Sequence, residues 1–170
     1  QHIESLSKNG SISFEQKSNK LEISAASDGT LIYRINRKEK NTLDANDEKL
    51  LKNALELMIS RGMNAEARTK RIYAKKGTAG VLSELPKLHG VYARQKDLST
   101  LLTLGISKPE MTSILESSSS YLSSDYYVAE LLSDVMKNYL LEDATSKAYL
   151  NLVANMKSDY YQHTTLQKLM

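Results

Sequence analysis

Ser124-Asp125-Tyr126-Tyr127 returns unchanged as Ser158-Asp159-Tyr160-Tyr161, 34 residues further along the chain. An identical block at such a period is the mark of stacked helical hairpins. Laying residues 121–136 over residues 155–170 also matches Leu132 with Leu166 and Met136 with Met170. One step of 34 toward the N-terminus places Tyr92 beneath Tyr126, Leu88 beneath Leu122 and Leu98 beneath Leu132, so the pattern occurs about three times.

The residues inside the block suggest why it recurs. Ser124 and Ser158 are expected to accept a hydrogen bond from a free amide at a helix start, while Asp125 and Asp159 set negative charge against the positive end of the helix dipole. Each cap of this kind contributes roughly 1 kcal/mol. Every unit then consists of one helix, a short turn, and a second helix opening near Ser107 or Asp143.

Working outward, helical periodicity holds from about Asp44. Asp44 is a suitable N-cap for a helix with Leu50, Leu51, Ala54, Leu55 and Met58 on one stripe, and Gly62 is a suitable stop. Asn64 is placed to cap the next helix, ending near Gly77, and Thr78 to open a third carrying Val81, Leu82 and Leu85 ahead of Pro86. Residues 91–104 form a further helix that stops at Gly105. Ser107 and Glu110 stand at capping-box spacing, with Pro109 tolerated in the first turn. Before residue 44 the period is that of strands: Ile12 and Phe14, Leu21 and Ile23, then Leu31, Tyr33 and Ile35 each alternate with polar neighbours. The fold expected is mainly α: a three-stranded antiparallel β-meander over residues 1–43, docked on a right-handed α-α superhelix of hairpins over residues 44–170.

Bulk properties narrow the class. Hydrophobic content of 41% and charged content of 25% are those of a folded soluble chain, and no apolar run reaches bilayer-spanning length. With no cysteine there is neither a disulfide nor a thiolate zinc site. A start at Gln1 rather than Met points to a trimmed chain or a mature exported protein, and a periplasmic or otherwise exported location is the expectation. The net charge of +3 is unevenly spread. Residues 1–60 balance nine basic against nine acidic side chains, residues 61–108 set ten basic against three acidic, and residues 109–170 set four basic against eight acidic.

From Leu31 onward the chain resembles bacterial exported or membrane-tethered proteins built of HEAT-like helical repeats. The resemblance is carried by Tyr33-Arg34-Ile35-Asn36, the acidic helix start at Asp44, Arg61-Gly62-Met63-Asn64-Ala65, the stretch from Arg71 to Gly77, the stretch from Ala79 to Leu85, and the Ser-Asp-Tyr blocks. Similar repeats occur in the extracytoplasmic part of relatives of the penicillinase-antirepressor membrane metallopeptidases. The chain departs from that pattern at His89-Gly90-Val91-Tyr92, where Ser-Asp would stand, and it lacks the His-Glu-x-x-His motif. The resemblance therefore implies a scaffold and transfers no catalytic residue. A tetratricopeptide assignment fails, since the chain has no Trp and only two Pro.

Two groups of side chains are candidates for binding. Arg68, Arg71 and Lys75 fall at helical spacing on the helix expected at 64–76, with Arg61 before it, and such a row suits phosphate, an anionic lipid surface or an acidic protein. A solvated face is the simpler reading, and nucleic acid ranks lower because no stacking aromatics accompany the charges. Seven tyrosines follow residue 120 and cannot all point inward. Tyr92, Tyr126 and Tyr160 are expected to pack between repeats, whereas Tyr127, Tyr139 and Tyr161 are candidates for a groove that holds a peptide or glycan. Ser118 and Ser119 fall opposite Leu152 and Val153, where small side chains permit close helix approach or leave a polar slot. His2, His89 and His163 lack metal-ligand spacing, and no cofactor is expected.

The expected role is a non-enzymatic protein-binding scaffold. A protein is the leading partner, followed by a membrane surface or a second copy joined through the C-terminal repeat, where Leu166, Leu169 and Met170 would be uncovered. The alternatives are a cell-wall or protein hydrolase, or an anion binder acting through the basic helix.

Overall fold

A computed structural model describes residues 3–139 and 141–169. Two compact units divide between Met58 and Ile59.

The first unit is an antiparallel meander, β1 (Ser11–Gln16), β2 (Asn19–Ala25), β3 (Leu31–Ile35) and β4 (Lys38–Lys40), followed by α1 (Ala45–Ser60). Where alternation marks three strands, the sheet has four. Ile35 pairs with Lys38 across a two-residue turn in which Asn36 (φ 50°) and Arg37 (φ 69°) both take positive φ. That is the primed-turn geometry matching the twist of paired strands. Asn36 also accepts the Lys20 amide through Oδ1 at 2.9 Å, which ties the turn to β2. Phe14, Leu21, Ile23 and Ile35 form the buried face, and Ala54, Leu50, Leu51 and Met58 of α1 pack on it. Asp44 caps α1 as its sequence position suggests, its Oδ1 accepting the Asn46 and Asp47 amides at 2.8 and 3.0 Å.

The second unit continues with α2 (Ala65–Glu84), a 3₁₀ turn (Leu85–Lys87), α3 (Val91–Leu102), α4 (Lys108–Tyr121), α5 (Asp125–Asn138), α6 (Asp143–Ala154) and α7 (Asp159–Gln167). Gly77 leaves helical geometry inside α2 (φ 62°, ψ −166°), so the chain breaks where a stop is expected and restarts at Thr78. Asn64 does not cap α2: it adopts left-handed backbone (φ 54°), and its side chain makes no cap bond. The capping box of Ser107 and Glu110 forms, and Glu110 also accepts the Thr78 hydroxyl at 2.6 Å.

Helix α3 packs on α2 and α5, and α5 in turn packs on α7, while α4 and α6 pack on each other. The core runs through both sets. Leu98, Leu101, Leu102, Met111, Ile114, Leu115, Leu131, Leu132 and Val135 are all fully or almost fully buried. Ser118 of α4 is also fully buried, its hydroxyl turned back onto the Ile114 carbonyl at 2.6 Å. Leu88, Leu122 and Met156 occupy matching buried places ahead of α3, α5 and α7. Arg94 and Gln162 each donate to a carbonyl six residues back, to Leu88 and Met156 respectively. Leu166 and Leu169 are exposed, and Met170, expected to join them, lies outside the described residues. Among the described residues no helix is long and apolar enough to cross a membrane.

Tyr149 of α6 is fully buried, and its hydroxyl reaches the Thr165 carbonyl only at 3.5 Å. Burial without a strong partner pushes the phenol up to about 12. The unfolded chain ionises this group near its ordinary value of about 10. Between these values the unfolded state binds fewer protons, so stability falls as pH rises through that window. Urea midpoints measured from pH 8 to pH 12 are expected to drop more steeply for the wild type than for Tyr149→Phe; equal slopes would contradict this assignment.

Candidate functional site

Helices α3, α5 and α7 begin side by side, and their first turns carry Tyr92, Tyr126 with Tyr127, and Tyr160 with Tyr161. The five rings touch in sequence. Tyr92 meets Tyr127 at 6.3 Å between centroids, and Tyr127 meets Tyr126 at 5.0 Å. Tyr126 meets Tyr161 at 6.1 Å, and Tyr161 meets Tyr160 at 5.2 Å. Interplanar angles run from 58° to 75°, the tilted and edge-to-face arrangements that ring quadrupoles favour. The result is a continuous tyrosine ladder across three helix starts.

The ladder reverses the inward and outward assignment expected from the repeat. Tyr92, Tyr126 and Tyr160 are 50%, 47% and 68% exposed rather than packed between helices. Tyr127 and Tyr161 are the half-buried rings resting on the core. The cause is helical phase. On α5 the buried stripe is Val128, Leu131, Leu132 and Val135, so Tyr126, two residues before Val128, points away from it. Tyr127 sits at the edge of the stripe, one helical turn before Leu131.

Asp125 joins two of these helix starts. Its Oδ2 accepts the backbone amides of Lys157 and Ser158, each at 2.8 Å, and so holds the segment entering α7. Ser124 and Ser158, expected to cap α5 and α7 with their hydroxyls, make no side-chain cap bond. Farther along the same helices, Gln95 donates to the Ser99 hydroxyl, which donates to Asp134 at 2.6 Å, linking α3 to α5.

Tyr139 stands apart from the ladder, at the opposite end of α5. Its hydroxyl donates to the Leu102 carbonyl at 2.7 Å and accepts the Ile106 amide at 3.2 Å, bridging the turn between α3 and α4. Burial raises its pKa. The geometry makes Tyr139 a structural tie.

The basic row divides as well. Arg61, Arg71 and Lys75 are exposed, but Arg68 is only 8% exposed and faces inward. Its Nη2 donates to both carboxylate oxygens of the fully buried Asp97, at 2.7 and 2.8 Å, and its Nη1 donates to the Ile59 carbonyl at 3.0 Å. Arg68 and Asp97 thus join α2 to α3, and Arg68 does not stand with Arg71 and Lys75.

A shallow groove of about 210 Å³ runs between α4 and α6, with Glu116, Ser119, Asn151 and Asn155 among its lining residues. It is smaller than the roughly 300–1,000 Å³ usual for small-molecule sites. Among the described residues no three His, Asp or Glu side chains converge as a metal site would require; His2 lies outside the described residues.

Compared with protein-family models, curated proteins and solved structures, the chain matches none.

Removing one partner of the buried ion pair leaves the other charged and unpaired, a loss of about 3–5 kcal/mol. Asp97→Asn is therefore expected to lower chemical-denaturation stability by about that much, whereas Arg71→Gln stays within about 0.5 kcal/mol, as exposed substitutions usually do. Equal effects of the two substitutions would place Arg68 back on the surface.

Proposed function

We propose that this chain is a non-enzymatic binding scaffold, a stack of HEAT-like hairpins with a 34-residue period, and that the tyrosine ladder is the surface it presents to a protein partner. The observation carrying this reading is the run of four contacts among five rings crossing three helices, with three of the rings about half exposed or more. Tyrosine supplies large, stiff contact area with a polar tip and is enriched in the cores of protein interfaces. A ring left in water where its neighbours are already packed adds little to folding but offers apolar area to a guest.

The superhelical reading draws on sequence period and side-chain role together. Tyr92, Tyr126 and Tyr160 are all exposed, and Leu88, Leu122 and Met156 are all buried. In such an array each unit contacts mainly its neighbours, and the binding face grows with the number of units. An exported location follows from the resemblance to bacterial envelope repeat proteins and belongs to the same proposal. A second copy is a further candidate partner at the face bearing the exposed Leu166 and Leu169.

Tyr126→Ser combined with Tyr160→Ser removes two exposed rings without touching the buried stripe. Bacterial envelope extract passed over immobilised wild type and over this double variant is expected to yield at least one protein whose retention falls tenfold or more on the variant, the scale of an interface hot spot. Identical retained sets, with circular dichroism showing both proteins folded, would contradict the proposed binding face.

A further inference from the structure

We propose that the guest of the ladder is a basic extended segment, whose Lys or Arg side chains lie on the faces of Tyr126 and Tyr160 with Glu130 and Asp159 as counter-charges. The inference rests on reading the ladder as a protein-binding surface and names the chemistry of the guest.

The molecule already holds a cation on this row. Lys96 Nζ stands 5.7 Å from the Tyr92 ring centroid, inside the roughly 6 Å at which a ring face attracts an ammonium group. Lys96 reaches that ring because it lies one helical turn after Tyr92. The corresponding residues one turn after Tyr126 and Tyr160 are Glu130 and Thr164. Neither brings a cation, and Thr164 is occupied in donating to the Tyr160 and Tyr161 carbonyls. The α3 end of the ladder therefore carries its own ammonium group, while the α5 and α7 ends carry rings without one.

Charge favours the same guest. Residues 109–170 contain eight acidic and four basic side chains, a net charge of −4. Asp125 is engaged by the Lys157 and Ser158 amides, and Asp134 by Ser99 and Lys137. Glu130 and Asp159 are exposed and make no ion pair among the described residues, so their charge remains available beside the exposed rings. Helix N-termini carry about half a positive charge each, which alone would favour an anion. Asp125 and Asp159, in the first turns of α5 and α7, offset that field. The negative ring faces then select a cation.

The test uses fluorescence anisotropy in low salt with three labelled peptides of equal length, in which Gly-Ser spacers alternate with Arg, Gln or Glu. The Arg peptide is expected to bind at least tenfold more tightly than the other two. Tyr126→Leu with Tyr160→Leu keeps apolar bulk but removes the ring faces, and should weaken Arg-peptide binding about fivefold or more. Lys96→Ala frees the Tyr92 face and should strengthen it about twofold or more. If the Gln peptide binds as well as the Arg peptide and the tyrosine substitutions weaken both, the basic guest is excluded while the ladder remains a binding surface. If the Arg peptide binds the tyrosine variant undiminished, diffuse charge accounts for the affinity and the ladder reading falls too. If no peptide binds, the basic guest is excluded.

Discussion

The ladder depends on the apolar seam that holds α3, α5 and α7 side by side. Both α5, with fourteen residues, and α7, with nine, are short. Isolated helices of that length are marginal in water, and their stability comes from tertiary packing. Once Val128, Leu131, Leu132 and Val135 are committed to the seam, the phase of α5 is set, and with it the outward direction of Tyr126 and Glu130. The exposed face is thus a consequence of the buried one.

Polar ties then fix the spacing that hydrophobic burial leaves loose. Arg68 and Asp97 lock α2 to α3, Tyr139 holds the turn between α3 and α4 from the end of α5, and Asp125 fastens the entry to α7. Each tie joins residues about thirty positions apart, close to the sequence period, and each satisfies a backbone or charged group that would otherwise be stranded. Apolar packing is tolerant of small shifts, whereas a buried charge-assisted hydrogen bond or a two-amide carboxylate is directional. Such ties keep five rings in register across three helices.

Much of this was legible in the sequence, and the failures have definite causes. The break at Gly77, the capping box of Ser107 with Glu110 and the start at Asp44 all followed from residue types with strong local preferences. Strand β4 leaves no strand signal in the sequence because Lys38-Glu39-Lys40 has no apolar alternation, and its turn uses Asn36-Arg37 without glycine. Ser124 and Ser158 are of a capping residue type, which states an ability and not a bond, while the carboxylate of Asp125 is used across the helix pair. Period alone aligned Tyr92, Tyr126 and Tyr160 but could not say which face they take. The stripe of Val128, Leu131, Leu132 and Val135, read at 100° per residue, contained that answer. Arg68 looked like a member of an exposed row because its partner, Asp97, lies 29 residues away.

The most direct check on the account is the continuity of the ladder between helices. In protein labelled selectively at tyrosine rings, nuclear Overhauser cross-peaks are expected between Tyr92 and Tyr127 and between Tyr126 and Tyr161, whose centroids lie 6.3 and 6.1 Å apart. Peaks confined to the sequential pairs Tyr126–Tyr127 and Tyr160–Tyr161 would show that the three helix starts do not meet, and the proposed binding face would be lost.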